Sequence, residues 1–155
     1  MRAYVDTNVW ARLYLKAEAS QESRELLTGA EARPMRPFPI TTLLRFELVN
    51  ALHRTAYESR EAGPWRVSPA GVAMAMADFT EHLAAGDFLN AVPLALEDLE
   101  PQFDSLVTRH TAKHGFRTYD ILHVASALHL GCDTFWSFDA KARKLAKLEG
   151  LKTNG

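Results

Sequence analysis

Asp6, Glu47, Asp120 and Asp139 are carboxylates in apolar company, each placed where a strand-like run meets a helix-like one or inside the apolar face of a helix. A carboxylate buried without a partner is costly, so acids drawn to one place are ordinarily held together by a cation. An all-oxygen set suits a hard divalent cation such as Mg2+, which keeps several waters and takes further oxygens from a phosphate. Carboxylates alone would repel a phosphodiester; a divalent ion reverses the sign of the pocket. Such an ion lowers the pKa of a bound water and orients it for in-line attack, and a second ion ~4 Å away would stabilise the leaving oxygen. Without metal, crowded acids repel one another and at least one pKa rises.

Taken one at a time, three of these acids also have plainer roles. Asp6 and Asp139 fit helix N-caps, and Asp120 fits a first helical turn where negative charge answers the dipole; such roles stabilise by ~1 kcal/mol. Glu47 has no comparable role, because on an apolar face its nearest candidate partners are Arg45 and His53, and unpaired Glu is seldom buried. His123, one turn after Asp120, reads as a packed, hydrogen-bonded residue that can support a ligand from behind. His110 and His114 have the spacing of a zinc pair, but Thr111 stands where the HExxH pattern needs Glu, so they read as exposed helix residues. Glu97, Asp98 and Glu100 beside Pro101 read as a solvated helix start. The chain contains no glycine-rich phosphate loop, and Asp6-Thr7-Asn8 lacks the second Asp of a DxD nucleophile motif.

The elements that must position these acids follow from hydrophobic period and breakers. Residues 2–5 predict a short strand ending at Asp6, followed by a helix through Val9, Trp10, Leu13, Tyr14 and Ala17. A second helix spans about Gln21 to Leu27 and ends at Gly29; Pro34, Pro37 and Pro39 then forbid helix before a strand near Ile40 to Thr42. From Leu43 a helix places Leu44, Glu47, Leu48, Ala51 and Leu52 on one broad face. Arg60 to Pro69 reads as a loop, with Ser68 capping a helix that runs to about Ala85. A strand at Phe88 to Leu94 precedes a helix from Leu96 to His114 that stops at Gly115, and Thr118 is expected to cap the next. After Gly131 come a strand, Thr134 to Phe138, and a helix opened by Asp139 with Ala142, Leu145 and Leu148 inward. Alternating strands and helices predict a parallel sheet covered on both faces, with ligands gathered at the carboxyl ends of the strands.

Composition sets the bounds. At 155 residues, 47% apolar and 24% charged, the chain is expected to form a single globular domain over 1–155 with one core. No apolar run approaches the ~18 residues needed to cross a bilayer, and Met1 to Asp6 enters a strand without a charged leader. A cytoplasmic protein with no membrane segment is expected. The lone Cys132 cannot form an internal disulfide and reads as packing. Net charge is −1, and setting aside the four acids leaves −1 + 4 = +3 for the rest. A grip on phosphate backbones must therefore be local or metal-assisted.

The segments Tyr4-Val5-Asp6-Thr7-Asn8-Val9, Phe46 to Leu52, Thr118 to Leu128 and Phe135-Trp136-Ser137-Phe138-Asp139 together resemble the PIN-domain family, and in particular the toxin ribonucleases of VapBC-type toxin–antitoxin modules. The likeness runs over nearly the whole chain, with the four acids of the expected types in the expected order. It implies a three-layer α/β/α sandwich with a central, mainly parallel sheet. It also implies a metal-dependent endoribonuclease in which Asp6, Glu47, Asp120 and Asp139 bind Mg2+ or Mn2+, leaving a 5′-phosphate and a 3′-hydroxyl. Thr7, Asn8 and Ser137 adjoin the matching segments as candidate holders of water or carboxylate, with His123 as a further support. The basic residues Arg12, Arg45, Arg54, Arg117, Lys141, Arg143 and Lys144 read mostly as solvated helix faces, and Arg117 and Lys141, each two or three residues from a metal-site acid, are the expected RNA contacts. The resemblance further implies an antitoxin covering the site and a homodimer, for which helix faces carrying Trp10, Tyr14, Leu48 and Leu52 are candidate surfaces. The contrasting expectation is a PIN-like domain that binds RNA or protein without cutting.

Overall fold

The structure, a computed structural model, describes residues 1–16, 20–29, 34–60 and 67–155. Strand β1 (Ala3–Val5) pairs in parallel with β4 (Thr134–Trp136), which pairs in parallel with β5 (Lys152–Thr153). Strand β2 (Phe38–Thr41) pairs in parallel with β3 (Leu89–Val92) and packs beside β1. The Met35 N–H donates to the Met1 carbonyl at 2.8 Å and ties the two strand groups together. All residues of β1, β2 and β4 are buried, as parallel strands covered on both faces require. The predicted strands end earlier than the apolar runs do: β4 stops at Trp136, because Ser137 and Phe138 turn toward the next helix.

Helices α1 (Thr7–Leu15), α2 (Ser20–Thr28), α3 (Thr42–Arg60) and α4 (Pro69–Ala85) pack among themselves. The second helical group is α5 (Leu96–Leu106), a π turn (Val107–Thr111), α6 (Ala112–His114), α7 (Thr118–His129) and α8 (Ala140–Leu148). The architecture is the expected three-layer α/β/α sandwich. On α1 the buried residues are Val9, Trp10 and Tyr14, and on α3 they are Leu44, Leu48 and Leu52, so the helical period put the right side chains inward. Ser68 caps α4 by accepting the Gly71 N–H at 3.0 Å, and Gly115 ends α6 at φ 64°, a left-handed conformation that glycine adopts without penalty.

Several expectations are corrected. Trp10, Tyr14, Leu48 and Leu52 are all buried in the core, so they offer no surface to a second copy. The cap of α7 is Arg117, with Thr118 the first helical residue; Asp120 reaches back to the Arg117 backbone N–H at 3.4 Å. Leu148 is 45% exposed, because the chain turns at Gly150 and Leu151 folds back into the place beside Ala146. His110 and His114 are half-buried rather than exposed, and the His110 imidazole packs against the Glu149 carboxylate. Ala17 and most of the loop expected between Arg60 and Pro69 lie outside the described residues.

Candidate metal centre

β1 and β4 are parallel neighbours, so their carboxyl ends open on the same edge of the sheet. Asp6 follows β1 directly and caps α1, its Oδ1 accepting the Thr7 N–H at 2.7 Å. Asp139 lies beyond β4 and caps α8, accepting the Lys141 and Ala142 N–H groups at 2.7 and 3.2 Å. Asp120 enters from the first turn of α7, and Glu47 from the second turn of α3. All four line one cleft of about 440 Å3, together with Thr7, Asn8, Arg117 and His123. Ala11, Leu15, Ala51 and Thr55 continue the cleft between α1 and α3, and Tyr119 stands exposed at its rim.

A part-buried polar network joins the two strand ends. The Ser137 hydroxyl donates to Asp6 Oδ2 at 2.7 Å and accepts from Asn8 Nδ2 at 3.1 Å and from the Asp139 N–H at 3.0 Å. Asn8 also donates to Asp6 Oδ2 at 3.2 Å and accepts the Phe138 N–H at 2.9 Å. Thr7, Asn8 and Ser137 thus each donate a hydrogen bond to Asp6.

The four acids do not form one cluster. Ligand atoms of Asp6, Glu47 and His123 lie within 4.8 Å of one another. Asp120 and Asp139 are instead drawn to Arg117, whose Nε and Nη2 donate to Asp120 at 3.0 and 3.2 Å and whose Nη2 donates to Asp139 at 2.6 Å. Arg117, expected to contact RNA, is thus engaged with two carboxylates, while Lys141 is exposed and reaches the Gly115 carbonyl at 3.4 Å. Glu47 is half-buried, and its partners are His123 and Thr7 Oγ1, the latter at 2.9 Å; Arg45 and His53 take no part. His53 instead bonds the Val49 carbonyl.

The electrostatics follow from this division. Burial pushes the Asp6 carboxyl above the usual range, against the opposing effects of His123, Ser137 and Thr7. Burial also pushes Glu47 upward, but the His123 hydrogen bond and charge, Thr7 and Arg117 together bring it below its ordinary value. At His123 burial acts downward and is outweighed by Glu47, Asp6 and Asp120, so the imidazole is held above its ordinary value. Burial raises Asp139 as well, and two backbone N–H groups with Arg117 leave it lowered.

The donor set fits a divalent ion. Glu47 Oε1 receives no hydrogen bond from the described residues, since Thr7 and His123 both approach Oε2. A free carboxylate oxygen beside buried Asp6, with imidazole adjacent, suits Mg2+ or Mn2+. Tyr4 was missed in the sequence: fully buried on β1, it places its hydroxyl 2.8 Å from His123 Nδ1. The available signal was a polar-tipped ring in an otherwise aliphatic strand. No other group of three or more His, Cys, Asp or Glu residues among those described is placed to hold a metal, His110 and His114 included.

Comparison with known proteins agrees with the geometry. A search of curated proteins gives no match. Among solved structures, the crystal structure of VapC20 from Mycobacterium tuberculosis, described as a Sarcin-Ricin loop cleaving toxin, is similar with a TM-score of 0.59 and 17% identity. The match covers 92% of this chain and 93% of that one. At that identity the likeness speaks to fold. The family model for the PIN domain matches residues 3–148, nearly the whole described chain, and the protein belongs to the PIN domain family.

Proposed function

We propose that this PIN domain is a metal-dependent endoribonuclease and the toxin of a type II toxin–antitoxin module. The observation that carries the reading is the convergence of Asp6, Glu47, Asp120 and Asp139, from three helix starts and one helix face, on a single cleft at the carboxyl edge of the parallel strands. The description of VapC20 as a cleaving toxin supports it by analogy.

When bound, Mg2+ or Mn2+ supplies the positive charge that draws a phosphodiester to an acidic cleft and acidifies water there. Asp6 and Glu47 would hold the ion, with Asp120 and Asp139, both bonded to Arg117, as the remaining metal-site acids. Thr7, Asn8 and Ser137 keep the carboxylates oriented. Arg117, at the cleft, and Lys141 are the cations for flanking phosphates. Water is the attacking group and O3′ the leaving group, so the phosphoryl stays on O5′ and the products carry a 5′-phosphate and a 3′-hydroxyl.

The partners are RNA as substrate and a cognate antitoxin that covers the cleft. A homodimer would draw on exposed apolar side chains such as Phe46, Tyr57 and Met74, since the helix faces first considered are interior. No helix among the described residues is long and apolar enough to cross a membrane, and a cytoplasmic site of action is part of this proposal. The test is cleavage of RNA by the purified chain with Mn2+, against Asp6→Asn. The substitution is expected to abolish cleavage and weaken Mn2+ binding; equal activity in the two proteins rejects the assignment.

A further inference from the structure

Glu47 is carried on a helix by a flexible side chain, yet one of its two oxygens is held from two sides. Thr7 Oγ1 donates to Glu47 Oε2 at 2.9 Å, and His123 Nε2 meets the same oxygen. Oε1 remains without a hydrogen bond from the described residues. The imidazole that enforces this is itself fixed. Tyr4 places its hydroxyl 2.8 Å from His123 Nδ1, and the Tyr4 ring stacks on Phe135 with centroids 5.8 Å apart and planes 3° from parallel. Tyr4 is 0% and His123 3% exposed, so neither group can exchange its partner for water. His123 Nε2 also lies 3.8 Å from Asp6 Oδ1, too far for a hydrogen bond, so the ring supports one of the two acids.

We propose that Tyr4 and His123 form a buried relay that holds Glu47 Oε2 and leaves Oε1 as the single oxygen this residue offers to a cation. Both are positioning residues. The relay gains its use from the metal-centre reading above and rests on it. It runs from β1 through α7 to α3, so the strand that delivers Asp6 also sets the posture of Glu47. Partners of this kind behind a ligand commonly change metal affinity by about 10- to 100-fold when removed.

The test uses the full chain. In isotope-labelled, metal-free protein, the His123 Nε2–H proton is expected as an exchange-protected NMR signal. Tyr4→Phe keeps the ring against Phe135 and is expected to remove that protection. With Mn2+ as the only added probe, followed by EPR, Tyr4→Phe and His123→Leu are expected to bind about tenfold more weakly. His123→Gln, whose amide N–H can still reach Glu47, is expected to recover part of the affinity. An unchanged His123 proton together with unchanged Mn2+ affinity in Tyr4→Phe overturns the relay. A nitrogen hyperfine coupling to Mn2+ that vanishes in His123→Gln also overturns it, since His123 would then be a ligand. If wild type binds no Mn2+ while the proton stays protected and sensitive to Tyr4→Phe, the relay stands and the metal-centre reading fails.

Discussion

Ser137 is fully buried, and its hydroxyl donates once and accepts twice, to and from Asp6, Asn8 and the Asp139 backbone. Ser137→Ala therefore leaves a half-buried Asn8 N–H and the Asp139 N–H short of an acceptor and removes one donor from Asp6. The expected cost is ~1–3 kcal/mol of stability by urea denaturation, with weaker Mn2+ binding alongside. Wild-type stability and affinity in the variant would show that the network does not hold the acids. Part of this was legible, because Ser137 sits two residues before Asp139 and Asn8 two after Asp6. The bond between them spans 129 residues and could not be read from spacing.

At the scale of elements, the junctions do the positioning, and the helices behind them need anchoring. The end of α8 is tied to the π turn by Glu149, which accepts from Arg109 Nη1 and Nη2 and from His110. Arg109's hydrogen bonds act first, against burial and with His110, to hold the Glu149 carboxyl below its ordinary value of 4.5. A depressed carboxylate stabilises the fold above the unfolded value and loses that contribution as pH falls through the folded one. Glu149→Gln is thus expected to lower the urea midpoint at neutral pH. The gap to wild type should close as pH drops below about 4.5. A gap that persists in acid would assign the effect to packing instead. The helix at Leu96 to His114 was expected from its period, but the π turn within it was not. That turn widens the winding over Val107–Thr111, and His110 within it meets Glu149. Leu148 was misplaced for a similar reason: helical period put it inward, and the return of Leu151 took the space.

The whole molecule brings acids from positions 6 and 139 together because β1 and β4 are adjacent and parallel. It does so in a chain whose net charge is −1. With Arg117 and Lys141 as the proposed phosphate contacts, RNA binding by Asp6→Asn, which leaves the substrate intact, is expected to depend weakly on salt. A slope of about −1 to −2 in log K against log salt corresponds to two phosphate contacts at ~0.7 each. Fluorescence anisotropy measures it, and a slope several times steeper would reveal a basic face elsewhere on the molecule.

Local rules were enough to read most of the helices, four of the strands though not β5, the capping acids at 6 and 139, and the type of chemistry they suit. Periodicity and capping act over a few residues, so the chain carries them in its order. The partition of the acids was another matter. That Arg117 takes Asp120 and Asp139, while Glu47 falls to His123 and Tyr4 stands behind it, depends on contacts between residues up to 119 positions apart. Such contacts are chosen by how the layers pack, through the direction each side chain leaves its element and the space left to it, and spacing along the chain does not encode that choice.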